Sequence, residues 1–304
     1  MEIVLLLLRQ IIIMFVMMVI GFVFYKRGYI TDQGAEDIKQ IIVHLILPLL
    51  VISSLWLKRT PENVQDLLHS TLLTIVGMCV AIIVSMLIYK KNNPIMRFAA
   101  TFGNIGVIGI PMIQATFGDG AVFYISMMLI FVNTLQFTLG VYMLTGDAST
   151  MSLKKVIHNP VVIAVIIGLL LFFLNIPRVP LIDSIFEATT GLNLPLALIL
   201  CGVYLAQSDV IAMIKKPSLY FLCVVRLLLI PLVTLVLFRF IPIGNTLMKQ
   251  AIFLTTACPV GSNIAILASY YDSDYKLAVE TVCISTLLCL LTLPFILYLS
   301  TIIL

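Results

Sequence analysis

Long apolar runs alternate with short polar breaks along the whole 304-residue chain. A run of about 20 apolar residues is what a helix needs to cross the hydrocarbon core of a bilayer. Ten such runs are predicted, starting near Ile3, Ile38, Asp66, Ile95, Gly120, Ile157, Ile182, Pro217, Leu247 and Tyr275. The breaks between them, at 26–37, 58–62, 90–94, 118–119, 146–155, 177–180, 207–216, 242–245 and 272–274, collect the charged and turn-forming residues. None is long enough to be a separate soluble domain. The pattern therefore predicts an all-α integral membrane protein with ten transmembrane helices.

Composition sharpens this reading. The chain is 62% hydrophobic and only 11% charged, with a mean hydropathy of +1.17, whereas soluble domains carry roughly 25% charged residues. A net charge of +4 spread over scattered basic residues offers no clustered stripe for nucleic acid. All six cysteines (Cys79, Cys201, Cys223, Cys258, Cys283, Cys289) fall in apolar runs without a CxxC pair or matching histidines. They read as packing residues, and neither a metal site nor a bound cofactor is expected. Glu2 stands where a signal peptide has its basic region, and the first apolar run is too long for a cleavable leader.

Loop charge sets an orientation. Breaks after odd-numbered spans hold eleven Lys and Arg residues, among them Lys26, Arg27, Lys39 and Lys276, against five after even-numbered spans. Cytoplasmic loops carry the excess. A multi-pass protein of the cytoplasmic membrane with both termini outside is expected.

The two halves, 1–150 and 151–304, repeat each other. Span starts in the second half trail those in the first by 144 to 155 residues. Pro48 maps on Pro195 at 147 residues, and Pro111 on Pro259 at 148. Five spans per half is an odd number, so the repeats enter the membrane in opposite directions, as in many secondary transporters.

Candidate chemistry centres on spans 4 and 9. Span 4 contains Gly103, Asn104, Gly106, Gly109 and Pro111, and span 9 contains Pro259, Gly261, Ser262 and Asn263. Pro111 cannot bond the carbonyl of Val107 and Pro259 frees that of Thr255, while glycine weakens a helix. Broken backbone at membrane depth is tolerated only against protein or a water-filled cavity. The breaks therefore predict a polar cavity, or alternatively a small-residue packing face. Gln114 lies close to the first break.

The segments GNIGVIGIP in span 4, CPVGSNIAILA in span 9 and NLPLALILCGVYLA in span 7 resemble the auxin efflux carrier family, over essentially the whole chain. The shorter bacterial malonate and malate permease-like members are the more similar. The long central loop of plant members is absent, and the apolar run from Leu72 to Ile88 in span 3 carries no charge. The resemblance implies a fold similar to bile-acid and sodium/proton carriers, with helices 4 and 9 crossing at their prolines. It also implies a scaffold of helices 1, 2, 6 and 7 that forms a homodimer, and a transport bundle of helices 3–5 and 8–10.

Ionisable and polar residues inside spans are costly and therefore informative. Arg226 in span 8 is expected to meet a substrate carboxylate, or to pair with Glu280 or with freed carbonyls. Glu280 in span 10 is a candidate proton or cation site, or reaches the interface. Asn133 and Gln136, three apart on span 5, line the cavity or bond a neighbouring helix. His44 suits a helix–helix hydrogen bond, Trp56 an interfacial anchor, and Glu187, Asp209 and the Asp272-Ser273-Asp274 turn are expected to be solvated.

The function expected is secondary transport of a small organic anion by alternating access, with coupling to protons or sodium open. The alternative is a cation/proton antiporter on the same scaffold. An enzyme is not expected, because His44, His69 and His158 lie on different segments without an HExxH motif.

Overall fold

A computed structural model of the chain describes residues 2–151, 153–207 and 215–304. Asp209 lies outside them, as do the side chains of Arg9 and Lys155. The described elements are helical: α1 (Glu2–Lys26), α2 (Asp32–Leu55), α3 (Pro61–Ile88), α4 (Pro94–Thr101), α5 (Ile105–Phe117), α6 (Asp119–Thr145), α7 (Leu153–Ile157), α8 (Pro160–Phe173), α9 (Pro180–Gln207), α10 (Pro217–Phe240), α11 (Thr246–Thr256), α12 (Asn263–Tyr270) and α13 (Tyr275–Ile303).

The polar breaks supply the helix starts. Pro61, Pro94, Pro160, Pro180 and Pro217 each open a helix, where the missing N–H removes nothing. Thr60, Asn159, Asn245 and Asp274 accept first-turn amides through their side chains, caps that each contribute about 1 kcal/mol.

Interior prolines are absorbed in a consistent way. Wider π turns at Ile42–Ile46, Ile105–Gly109 and Val225–Leu229 end two residues before Pro48, Pro111 and Pro231. A proline ring clashes with the carbonyl four residues back, which here is that of His44, Val107 or Leu227. One extra residue in the turn moves that carbonyl aside. In α13 the parts Tyr275–Cys289 and Leu291–Ile303 lie at 54° to one another, and Pro294 falls in the second.

Among the described residues, α2, α3, α6, α9 and α10 are long and apolar enough to cross a membrane, and α13 makes a sixth if its bent parts count as one. Phe15–Lys26, α5 and α8 are shorter apolar helices. Large hydrophobic side chains such as Ile12, Phe15, Leu87, Ile166, Leu170 and Phe240 stay exposed on the outer faces, as a lipid-facing surface requires.

Two tight helix pairs frame the molecule. α1 packs along the second half of α9, and α8 along the end of α2. A Cβ at Gly21 would collide with the backbone carbonyl of Ile199, and one at Gly202 with that of Met18. In the other pair a Cβ at Gly168 would come within 2.8 Å of Leu55 Cβ. Gly21 and Gly168 are 147 residues apart, the spacing of Pro48 and Pro195. Close backbone contact through glycine is how helices associate when lipid competes equally for apolar side chains.

Trp56 differs from expectation. It is buried, and its indole N–H donates to the Ile176 carbonyl at 2.8 Å, so it ties α2 to the α8–α9 connection instead of anchoring at the lipid interface. Beside it, Arg178 donates to the carbonyls of Trp56 and Ser53 at the end of α2.

Candidate functional site: a crossing of two interrupted helices

α4 stops at Thr101 and α5 begins at Ile105; α11 stops at Thr256 and α12 begins at Asn263. The intervening stretches, residues 102–104 and 257–262, run antiparallel and pair at an isolated bridge between Gly103 and Val260. The Asn104 N–H donates to the Pro259 carbonyl at 2.8 Å, and the Gly261 N–H to that of Phe102 at 3.0 Å. The Val260 N–H donates to Ser285 Oγ at 3.0 Å. Backbone groups freed by the breaks thus satisfy one another. Gly103 is required here, because a Cβ would run into the guanidinium of Arg226.

Arg226 is buried and is presented by the π turn of α10. Its Nε donates to the Cys258 carbonyl at 3.0 Å, and its Nη1 to those of Ala100 and Thr101 at 3.3 and 3.2 Å. These carbonyls end α4 and follow α11, where helix dipoles leave partial negative charge. A fixed cation with several donors suits that place better than lysine. Of the roles open to Arg226, the geometry is that of a carbonyl clamp. Glu280 is not its partner: both Glu280 oxygens accept from Lys216 Nζ, at 2.7 and 2.5 Å.

On the other side of the crossing lies a cavity of about 590 Å³. Asn104, Gly106, Asn133, Gln136, Gly261, Ser262 and Asn263 all line it. Asn263 Nδ2 donates to Gln136 Oε1 at 2.8 Å, and Asn159 Nδ2 to Asn133 Oδ1 at 3.1 Å. Asn133 also donates to the Leu129 carbonyl of its own helix at 2.8 Å, so it both lines the cavity and bonds a neighbour. A π turn without a proline, Gln136–Gly140, carries Gln136. The first turns of α5 and α12 open onto this space through Ile105, Gly106 and Asn263. The leading N–H groups of a helix have no intrahelical partner, and a helix start attracts anions.

A wider vestibule of about 1070 Å³ shares Glu36, Lys39, Tyr204, Ser262 and Ile266 with the cavity. Glu280 lines this vestibule, together with Lys276 and Asp32, and not the inner cavity. Gly109, Pro111, Pro259 and Arg226 are likewise outside the inner lining. Gly109 makes room for Cys258, whose Sγ would sit 2.9 Å from an added Cβ. Pro111 lies in the second position of a regular α segment after its π turn. The first break therefore comes seven residues before Pro111 at the nearest, and Pro259 lies within its own break. The two prolines are on different sides of the half-helix starts, so their offset of 148 residues does not mark equivalent positions. Gln114 also faces elsewhere, donating to Asp119 at 2.8 Å and accepting from Asn193 at 3.0 Å.

Among the polar lining residues outside the quoted segments are Lys39, Gln40 and Asn159, while Tyr204 comes from the span 7 segment. Lys39 counts in the sequence as one more loop cation, and Asn159 also caps α8. His44 lines the cavity as well, and its Nδ1 lies 3.2 Å from the Gln40 carbonyl of its own helix, not of a neighbouring one.

A profile described as a membrane transport protein matches the chain twice, over residues 6–149 and 144–297. A Rhizobium meliloti (strain 1021) protein named "Putative malonate transporter" is 24% identical, with 91% of this chain and 92% of that protein covered. A Methanothermobacter thermautotrophicus (strain ATCC 29096 / DSM 1053 / JCM 10044 / NBRC 100330 / Delta H) protein named "Uncharacterized transporter" is 21% identical, with 92% and 93% covered. The chain therefore belongs to the membrane transport protein family, the auxin efflux carriers that its motifs resemble, and is a membrane transporter rather than an enzyme.

Proposed function

We propose that the chain moves a small organic anion, a carboxylate, across the cytoplasmic membrane by alternating access. The observation that carries this reading is the bridge between Gly103 and Val260, which turns two half-helix starts toward one amide-lined cavity. Asn104, Gln136, Ser262 and Asn263 with the amides after Asn104 and Gly261 would hold the carboxylate, and Asn133 would support them. Arg226, Gly109, Pro111 and Pro259 act behind them, shaping the crossing. The malonate named for the Rhizobium relative is the first substrate to try.

In this reading the double profile match reflects two inverted repeats of five spans each, 1–150 and 151–304, with both termini outside. The crossing splits spans 4 and 9, so neither contains one long helix. Helices 1, 2, 6 and 7 form a scaffold that dimerises, and the remainder rocks against it. The glycine-mediated contacts at Gly21, Gly202 and Gly168 favour such a rigid frame. A proton or sodium ion could drive the cycle. Pure cation/proton exchange is disfavoured, since it usually uses a pair of acids and Glu36 is the only acid among the described residues of the inner lining.

The test is uptake of labelled malonate and malate into proteoliposomes, with and without pH or sodium gradients. Asn104→Ala and Asn263→Ala should each cut carboxylate uptake at least tenfold while the protein stays folded. Normal uptake by both variants would remove the crossing as the site.

A further inference from the structure

Lys39 and Glu36 lie one turn apart near the start of α2, and both line the inner cavity and the vestibule. Lys39 is the only lysine or arginine among the described residues of the inner lining. Its Nζ donates to both Glu36 oxygens, at 3.1 and 3.0 Å, and Gln40 Nε2 donates to Glu36 Oε1 at 2.6 Å. The two side chains are 20% and 45% exposed. An ion pair this open to water is weak, since solvent screens it and two long side chains must be held still. It can be exchanged at little cost for another carboxylate.

The half-helix starts provide fractional positive charge, enough for one carboxylate group. A second carboxylate on the same molecule would find amides and apolar walls but no counter-charge, and an unpaired charge withdrawn from water is expensive. We propose that Lys39 is a substrate-binding residue that receives this second carboxylate. Glu36 holds the ammonium in the empty cavity and gives it up when a dianion enters. Lys39 thereby makes the site prefer dianions to monoanions. The inference rests on the organic-anion reading above and adds to it the residue that counts charge.

The test compares malonate with its monomethyl ester, a monoanion of similar size, by calorimetric binding to the purified full-length protein. The wild type should prefer malonate. Lys39→Gln should weaken malonate binding at least tenfold, leave the ester within twofold, and so erase the preference. Lys39→Arg should keep most of it, and Glu36→Gln should bind malonate at least as well as wild type. A preference that survives Lys39→Gln, or its absence in the wild type, overturns the proposal. Lys39→Met serves if Lys39→Gln does not fold, with the same expectations. Wild-type protein that binds neither compound would instead overturn the organic-anion reading itself.

Discussion

The backbone N–H of Asn104 donates to the carbonyl of Pro259 at 2.8 Å, so main chain joins the two interrupted helices directly. Unpaired amides at membrane depth cost several kcal/mol each. Pairing them across the crossing is what lets the chain keep two non-helical stretches inside its core. The geometry then depends on two residues packed against each other beside it, Gly103 and Arg226.

Gly103→Ala should be among the most damaging single-methyl changes in the protein. The new Cβ would displace the Arg226 guanidinium from the carbonyls it holds. Thermal unfolding in detergent should show a loss of about 2 kcal/mol or more, and uptake should fail. Gly120→Ala, where a Cβ meets open space, should change neither.

Removing the clamp is more severe. Arg226→Ala leaves the Ala100, Thr101 and Cys258 carbonyls without their donor, and each buried unsatisfied group costs about 1–3 kcal/mol. Poor yield or a steep drop in melting temperature is expected. Arg226→Lys should recover only part, because one ammonium lacks the planar fork that reaches both helix ends.

Gln136 and Asn263 should behave as a coupled pair. Their amides meet at 2.8 Å across the cavity, a bond with a net value of about 1 kcal/mol. Gln136→Leu and Asn263→Leu should each cost little stability, and the double variant less than the sum. Each single change should nevertheless abolish carboxylate uptake. Transport by either leucine variant at more than a tenth of the wild-type rate would count against the amide site.

The helix joints offer a contrast between two kinds of contact. Gly21→Ala and Gly202→Ala press on backbone carbonyls, whereas Gly168→Ala presses on the Leu55 side chain. Backbone cannot step aside as a side chain can, and overpacking costs typically about 1–3 kcal/mol. The first two should therefore lower the melting temperature more than the third.

The helical membrane class was legible from the apolar runs, because a soluble fold cannot bury so many of them at that length. The polar lining was partly legible too. Asn104, Gln136 and Asn263 stand out because an amide inside an apolar run needs a partner. The position of the first break was harder to read. Pro111 looks like the stronger helix breaker, yet a π turn at Ile105–Gly109 absorbs it, and the chain unwinds at Gly103 instead. Lys39 was hidden for a different reason: a cation near a span end has the same sequence signature whether it faces water or turns into a cavity.

Arg226 ties α4 and the end of α11 to α10, and these pieces cannot slide apart without stripping a buried guanidinium of its partners. In a transport cycle the crossing would therefore travel as one block, with its ligand amides at fixed spacing. Lys39 stands on α2, outside that block, so the grip on a dianion would change as the block moves past it. Net flux would follow the electrochemical gradient of the anion, and only a second bound ion could make it run against that gradient.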